Sequence, residues 1–164
     1  MTEEQKELFK ELCPRLVHGV KYMKMSDHNS LIKIEKLYSV SPMGCYGEGD
    51  IAPWGFNKVQ PILRPLSDLT NPITQDGKTF VPIDVIGKLV NPNAEYVGEN
   101  KFESGYCWSF HYKDGHPLFH VSKNMWATSN IVVEWLREHH FDIRDFIKKG
   151  RAINVNDLKQ NCYA

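Results

Sequence analysis

The longest stretch of helical period in this chain runs from Thr128 to Val155. Thr128 or Ser129 is a good N-cap, and Ile131, Val132, Trp135, Leu136 and His139 follow at the spacing of one helix face. Phe141–Asp142 marks a corner. Beyond it Ile143, Phe146 and Ile147 recur at i, i+3, i+4, with Asp142 as cap and Gly150 as the residue past the end, after Lys148 and Lys149. The pattern predicts a C-terminal helix pair. Ala152 to Val155 is extended enough to add a strand, and Asn156 or Asp157 can cap a last short helix reaching Lys159. At the other end Thr2 and Gln5 form a capping box, Leu8, Phe9 and Leu12 share a face, and Pro14 predicts a helix end near Cys13.

Between these helices the pattern is that of strands. Gly19 to Met25 and Leu31 to Val40, separated by the turn-rich Ser26 to Ser30, predict an antiparallel hairpin. Pro61 and Pro65 argue against a central strand, so Val59 to Leu63 is expected at an edge. Asn71 to Gly77 reads as a loop ending in the turn pair Asp76–Gly77. Pro82 then opens a helix with Ile83, Val85, Ile86, Leu89 and Val90 on its apolar side, and Asn91 to Asn100 reads as a surface loop. Asp114–Gly115 is the strongest hairpin signal. With those two residues at the turn, Tyr112 faces Pro117, Phe110 faces Phe119 and Trp108 faces Val121. With Tyr106 these make an apolar core face, while Cys107, Ser109, His111, Leu118 and His120 alternate onto the other. The whole predicts a single α+β domain, residues 1–164. Its antiparallel sheet, a meander or partly barrel-like, is covered by the C-terminal helix pair and a short N-terminal helix.

Composition narrows the function classes. In 164 residues, 20 basic and 20 acidic side chains cancel, which argues against a dedicated nucleic-acid binder. No apolar run approaches the ~20 residues of a membrane helix. The acidic start MTEEQKE is unlike a secretory signal, so the expected location is the cytosol of whatever cell makes the protein. Cys13, Cys45, Cys107 and Cys162 are far apart and form no CxxC, which predicts free thiols in a reducing compartment, with no metal and no cofactor.

Three groups of residues are candidates for chemistry. On the hairpin, His111 is diagonal to His120, roughly 7 Å away between backbones. Two histidines make only half a metal site, and Cys107, roughly 13 Å along the strand from His111, cannot complete it. The same pair could serve as a general acid and base, as in some phosphodiesterases. The second group lies in and after the glycine-rich Ser41 to Phe56. Tyr46 and Trp54 offer stacking faces and Arg64 a guanidinium for an anion, although the simpler assignment has Trp54 and Phe56 plug the edge of the core. No GxxxxGK[ST] or GxGxxG is present. The third group is His139–His140. Adjacent helical residues point roughly 100° apart, so one is expected to pack and the other to be solvated.

PILRPLSDLT at 61–70, GKTFVPI at 77–83 and EWLREHHFDIRDFIKKGRAINVNDL at 134–158 resemble a family of small proteins of Bacteroidetes genomes and of their phages and prophages. The family's usual C-terminal pattern is similar to WHFD, then LI, then KGLAID. Here it reads HHFD, FI and KGRAIN, with Arg151 in place of the usual leucine, which predicts a more solvated position. The resemblance implies a phage or mobile-element accessory protein and transfers no catalytic residues. No nucleophile–base–orienter constellation stands out. The expectation is therefore a non-catalytic accessory binding protein, acting in counter-defence by sequestering a small nucleotide-type signal at Tyr46, Trp54 and Arg64, or by blocking a host protein. The alternative is a nucleotide hydrolase or phosphodiesterase-like enzyme using His111 and His120. Self-association is left open, and no membrane partner is expected.

Overall fold

The structure is a computed structural model. It describes residues 1–26, 31–90, 96–98, 101–102, 108–113, 116–121, 130–159 and 162–163, those between 96 and 121 and a few at element ends by their backbone alone. The elements are α1 (Glu3–Arg15), β1 (Lys21–Met25), β2 (Leu31–Ser41), β3 (Gly44–Gly47) and β4 (Val59–Leu63), then β5 (Ile73–Gln75), β6 (Lys78–Phe80) and α2 (Pro82–Val90). They continue with β7 (Tyr96–Gly98), β8 (Lys101–Phe102), β9 (Trp108–Lys113), β10 (His116–Val121), α3 (Asn130–Glu138) and β11 (Ile153–Asn154). This is an α+β chain. It divides into two compact units: Met1–Pro65 with Asp145–Cys162, and Leu66–Arg144 with Tyr163–Ala164.

Unit one is built on an open sheet of five strands in the order β11-β4-β1-β2-β3. Its pairings are antiparallel except β11 with β4, which is parallel. Helix α1 starts at the expected capping box, with Thr2 Oγ1 accepting from the Gln5 N–H and Gln5 Oε1 accepting from the Thr2 N–H. It lays Leu8 and Leu12 into a core with Val20, Tyr22, Leu37, Val59 and Leu63. Each such aliphatic side chain contributes about 1.5–3 kcal/mol by leaving water.

The helix does not stop at Cys13. It takes in Pro14, ends at Arg15 and continues as a 3₁₀ turn, Leu16–His18, closed by Gly19. The fully buried Arg15 reaches back one turn to the equally buried Glu11, its Nε donating to Oε1 at 2.9 Å, which ties the last turn down beyond the proline. Strand β4 is likewise not at an edge, because β1 pairs on one side and β11 on the other. Pro61 is tolerated because β11 is two residues long and meets only Ile62 and Leu63. The expected strand over 152–155 is this β11, and the turn after it is capped by Asn154 rather than by Asn156 or Asp157.

Unit two has a core of its own. The segment read as a loop at 71–77 holds strand β5 and the turn of a hairpin that β6 completes. Its turn residues Asp76 and Gly77 both have positive φ, 49° and 73°, as a tight type I′ turn requires. Pro82 opens α2 as expected, burying Ile83 and Ile86. Helix α3 buries Val132, Trp135 and Leu136 against them and leaves Ile131 exposed, so the apolar face begins one residue later than the spacing suggested. The β9–β10 pairing has the predicted register, Tyr112 opposite Pro117, Phe110 opposite Phe119 and Trp108 opposite Val121. The cap at 128–129, Cys107 and most of the 91–100 loop lie outside the described residues.

The second helix of the C-terminal pair is replaced by a run of turns over 143–150. Asp142 Oδ1 accepts the Arg144 N–H at 3.3 Å, as a helix cap would, but Asp145 takes a left-handed φ of 56°, which diverts the chain from a helix. Ile143 is buried in the core of unit two and Phe146 in that of unit one. The three-residue spacing that mimicked a helix face serves two cores.

Candidate functional site

Two features of unit one concentrate chemistry. The first is a charged network centred on Lys24 of β1, buried although lysine seldom is. The β1–β2 register sets Tyr22 opposite Glu35 and Lys24 opposite Lys33, so Lys24 and Glu35 are diagonal neighbours on one face. The Lys24 ammonium contacts Glu35 Oε2 and lies 2.6 Å from Asp50 Oδ1. Asp50 Oδ2 accepts the Gly47 N–H at 2.6 Å, and the Trp54 indole donates to the same carboxylate. A Cβ at Gly47 would meet the Glu35 carboxylate and the Tyr22 hydroxyl, so a larger residue there would push Glu35 from its place beside Lys24. Lys24 also lies 5.0 Å from the centre of the Trp54 ring, within cation–π range.

The network sets the protonation of its members. Burial alone would lower Lys24, but its hydrogen bonds to Asp50 and Glu35 outweigh that and hold it above its ordinary value. The Lys24 and Lys33 ammonium groups hold Glu35 below the usual carboxylate range. Burial would raise Asp50; hydrogen bonds from Lys24, the Gly47 N–H and Trp54 hold it down. Burial, reinforced by Asp50 and Glu35, pushes the Tyr22 phenol up. At neutral pH this is an ammonium held between two carboxylates.

The second feature is a cavity of about 550 Å³, within the range that takes small ligands. Four separate segments line it: the first turns of α1, Met25 at the end of β1, residues 56–60, and the turn at 150–151. Its apolar surface comes from Leu8, Met25, Phe56 and Val59. The Phe56 ring is held edge-on by Phe9, with centroids 6.4 Å apart. The amides of Gln5, Asn57 and Gln60 supply donors and acceptors, and Gln60 is fixed by donating to the Gly150 carbonyl at 2.9 Å. Arg151 closes the rim, paired with Glu4 at 2.8 Å and Glu7 at 2.7 Å.

The residues singled out from the sequence are not gathered here. Tyr46 is half-buried on β3, at one edge of the sheet. Trp54 bridges to Cys45 through its backbone, packs on the core and serves the Lys24 network, while Phe56 is buried in that core. Arg64 is buried just past β4, where its charge and that of Lys21 counter the burial that raises the Cys162 thiol. The strands nearest Tyr46 and Arg64 are three positions apart, about 14 Å at the usual spacing. His111 and His120 occupy the expected diagonal register positions, opposite Leu118 and Ser109, but their side chains lie outside the described residues. Both of the adjacent histidines pack in unit two, contrary to the expectation that one is solvated. His139 stacks on Trp135 with centroids 3.9 Å apart, and the buried His140, at φ 61°, stacks on Tyr163 at 4.1 Å.

Among the described residues Cys13, Cys45 and Cys162 are free thiols, and burial pushes Cys45 up to about 12, so it is inert as a nucleophile at neutral pH. Also among the described residues, no three His, Cys, Asp or Glu side chains are grouped to hold a metal ion, and no helix is long and apolar enough to cross a membrane. No protein-family model matches the chain, and comparisons with curated proteins and with solved structures found no match.

Proposed function

We propose that this chain is a non-catalytic binding protein that takes up a small nucleotide-type ligand in the cavity of unit one. The observation that carries this reading is the lining: an apolar surface including one aromatic ring, bordered by three side-chain amides, in a volume suited to a small molecule. A flat heteroaromatic ring buries its faces on such a surface while its edge exchanges hydrogen bonds with amides. The charged groups of the unit that are best placed for catalysis, Lys24, Glu35 and Asp50, are committed to one another.

The test is thermal unfolding of the wild type and of Asn57→Trp in the presence of nucleobases, nucleosides and nucleotides. Asn57 is exposed, so a tryptophan there obstructs the cavity without entering the core. A ligand at 100 times its Kd stabilises the wild type by about 2.7 kcal/mol. The expected outcome is that Asn57→Trp removes this stabilisation. Equal stabilisation of both proteins would place the ligand elsewhere.

A second reading, occupation of a host protein's surface, is favoured by a different observation. Tyr38 on β2, Met43 in the β2–β3 turn and Ile51 in the loop after β3 are large apolar side chains left exposed.

A further inference from the structure

We infer that the cavity of unit one selects the uncharged form of its ligand, a free nucleobase or nucleoside, and disfavours the phosphorylated form. This rests on the cavity being the ligand site proposed above. A phosphate-binding site needs donors that are still available and a local positive charge. Two features of the lining are of the right kind to supply them: one is partly capped and faced by carboxylates, and the other is paired.

The first is the N-terminus of α1, which contributes Thr2, Glu4 and Gln5 to the wall. Helix starts attract anions through their N–H groups and the positive end of the dipole. Here the Gln5 N–H donates to Thr2 Oγ1 at 3.2 Å and the Thr2 N–H to Gln5 Oε1 at 2.9 Å. Glu3 and Glu4 already stand in the first turn, where they take the place an anion would occupy.

The second is Arg151. Its guanidinium is shared between the Glu4 and Glu7 carboxylates, two negative charges for one positive. Lys6, a nearby cation of α1, is paired with Glu3. Glu4 and Arg151 line the cavity and cancel; with their linked neighbours Glu3, Lys6 and Glu7 the ion-paired group sums to −1, three carboxylates against two cations. A phosphate monoester arriving there meets like charge and must displace a carboxylate. A base or nucleoside meets neither obstacle and keeps the apolar and amide contacts.

The experiment is titration calorimetry at low salt with matched sets of base, nucleoside and 5′-monophosphate for the common ribonucleosides. It uses the wild type, Glu4→Gln/Glu7→Gln and Asn57→Trp. Both glutamates are exposed, so the double variant keeps the core intact. The expected result is wild-type binding of one base or nucleoside at least tenfold tighter than its monophosphate, with the double variant narrowing or reversing that gap as Arg151 is released. A wild type that binds the monophosphate as tightly, or a gap that the double variant leaves unchanged, overturns the inference while leaving the cavity as the site if Asn57→Trp still blocks binding. Binding that survives Asn57→Trp removes the site itself. Absence of binding by every base, nucleoside and monophosphate overturns the inference outright.

Discussion

The two units of this chain are stabilised by different chemistry. The core of unit two is aliphatic and aromatic: Leu69, Ile83, Ile86, Val132, Trp135, Leu136, Phe141 and Ile143, with Phe80 packed against it and His139 stacked on Trp135. Unit one also has an apolar core, but charges are threaded through it. Glu11 pairs with Arg15, and Lys24 with Glu35 and Asp50, all in largely water-excluded positions. Apolar packing is non-directional and tolerates small adjustments; a buried ion pair fixes which strand residues must meet. Unit two also buries Asp68, His140 and Asp142, so the contrast is one of degree: ion pairs within the core of unit one, and a larger share of shape complementarity in unit two.

The sharpest way to break this comparison is Lys24→Met. Removing one partner from a buried charged group leaves the others uncompensated and costs about 3–5 kcal/mol. The pH dependence is the stronger readout. Glu35 and Asp50 are held below their ordinary values, so their contribution is present above the unfolded carboxylate pKa, about 4, and is lost as pH falls through the lower folded values. Lys24 is held above its ordinary value, so its contribution is complete below about 10.4 and is lost only as pH rises through the folded value. The stability gap between wild type and Lys24→Met is then largest near pH 7 and shrinks toward pH 3, where the carboxylates take up protons. Urea unfolding at both pH values measures it; a gap of the same size at both would mean the network is ornamental.

Leu136→Ala gives the matching test in unit two. Leu136 is fully buried, and such a truncation costs about 2–5 kcal/mol through lost transfer energy and the residual cavity. No charge is involved, so this gap between wild type and variant should be equal at the two pH values. A pH-dependent gap would show that packing at Leu136 is coupled to the buried Asp68, His140 or Asp142 of the same unit.

This contrast also decides what could be read in advance. Local signals held where chemistry is local. The Thr2–Gln5 box, the turn at Asp76–Gly77, Pro82 at a helix start and the register of β9 with β10 all arise from a few adjacent residues. The Lys24 network was not legible, although a hairpin over these residues was. An irregularity next to Met25 puts Met25 opposite Leu31 but Lys24 opposite Lys33. Counting from the turn therefore misplaces the pairing by one, and a one-residue slip sends side chains to the other face. Asp50 enters from a loop with no period at all. Opposite charges on paired strands were the available clue, and it becomes readable only with the bulge known. The cavity was out of reach for a related reason, since its lining comes from four segments. The glycine-rich region and the strand after it stand out by composition, yet Asn57 and Gln60 reach the cavity whereas Tyr46, Trp54 and Arg64 do not line it. At 143–147 the helical period was real, but it distributes Ile143 and Phe146 between two cores.

The smallest expected effect comes from Arg151→Leu. Arg151 is partly exposed, and its partners Glu4 and Glu7 are more so. Pairs in such positions are worth about 0–1 kcal/mol, because water solvates the separated charges nearly as well. The guanidinium carbon also lies 6.0 Å from the centre of the Phe146 ring, and a leucine keeps some of that apolar contact. Unfolding of the variant should thus fall within about 1 kcal/mol of the wild type, and the residual difference should vanish near 1 M salt, where the screening length is about 3 Å. A loss comparable to that of Lys24→Met, persisting in high salt, would mean that the rim charges are as deeply structural as the network. The distinction between charges that specify the core of unit one and charges that only tune its cavity would then collapse.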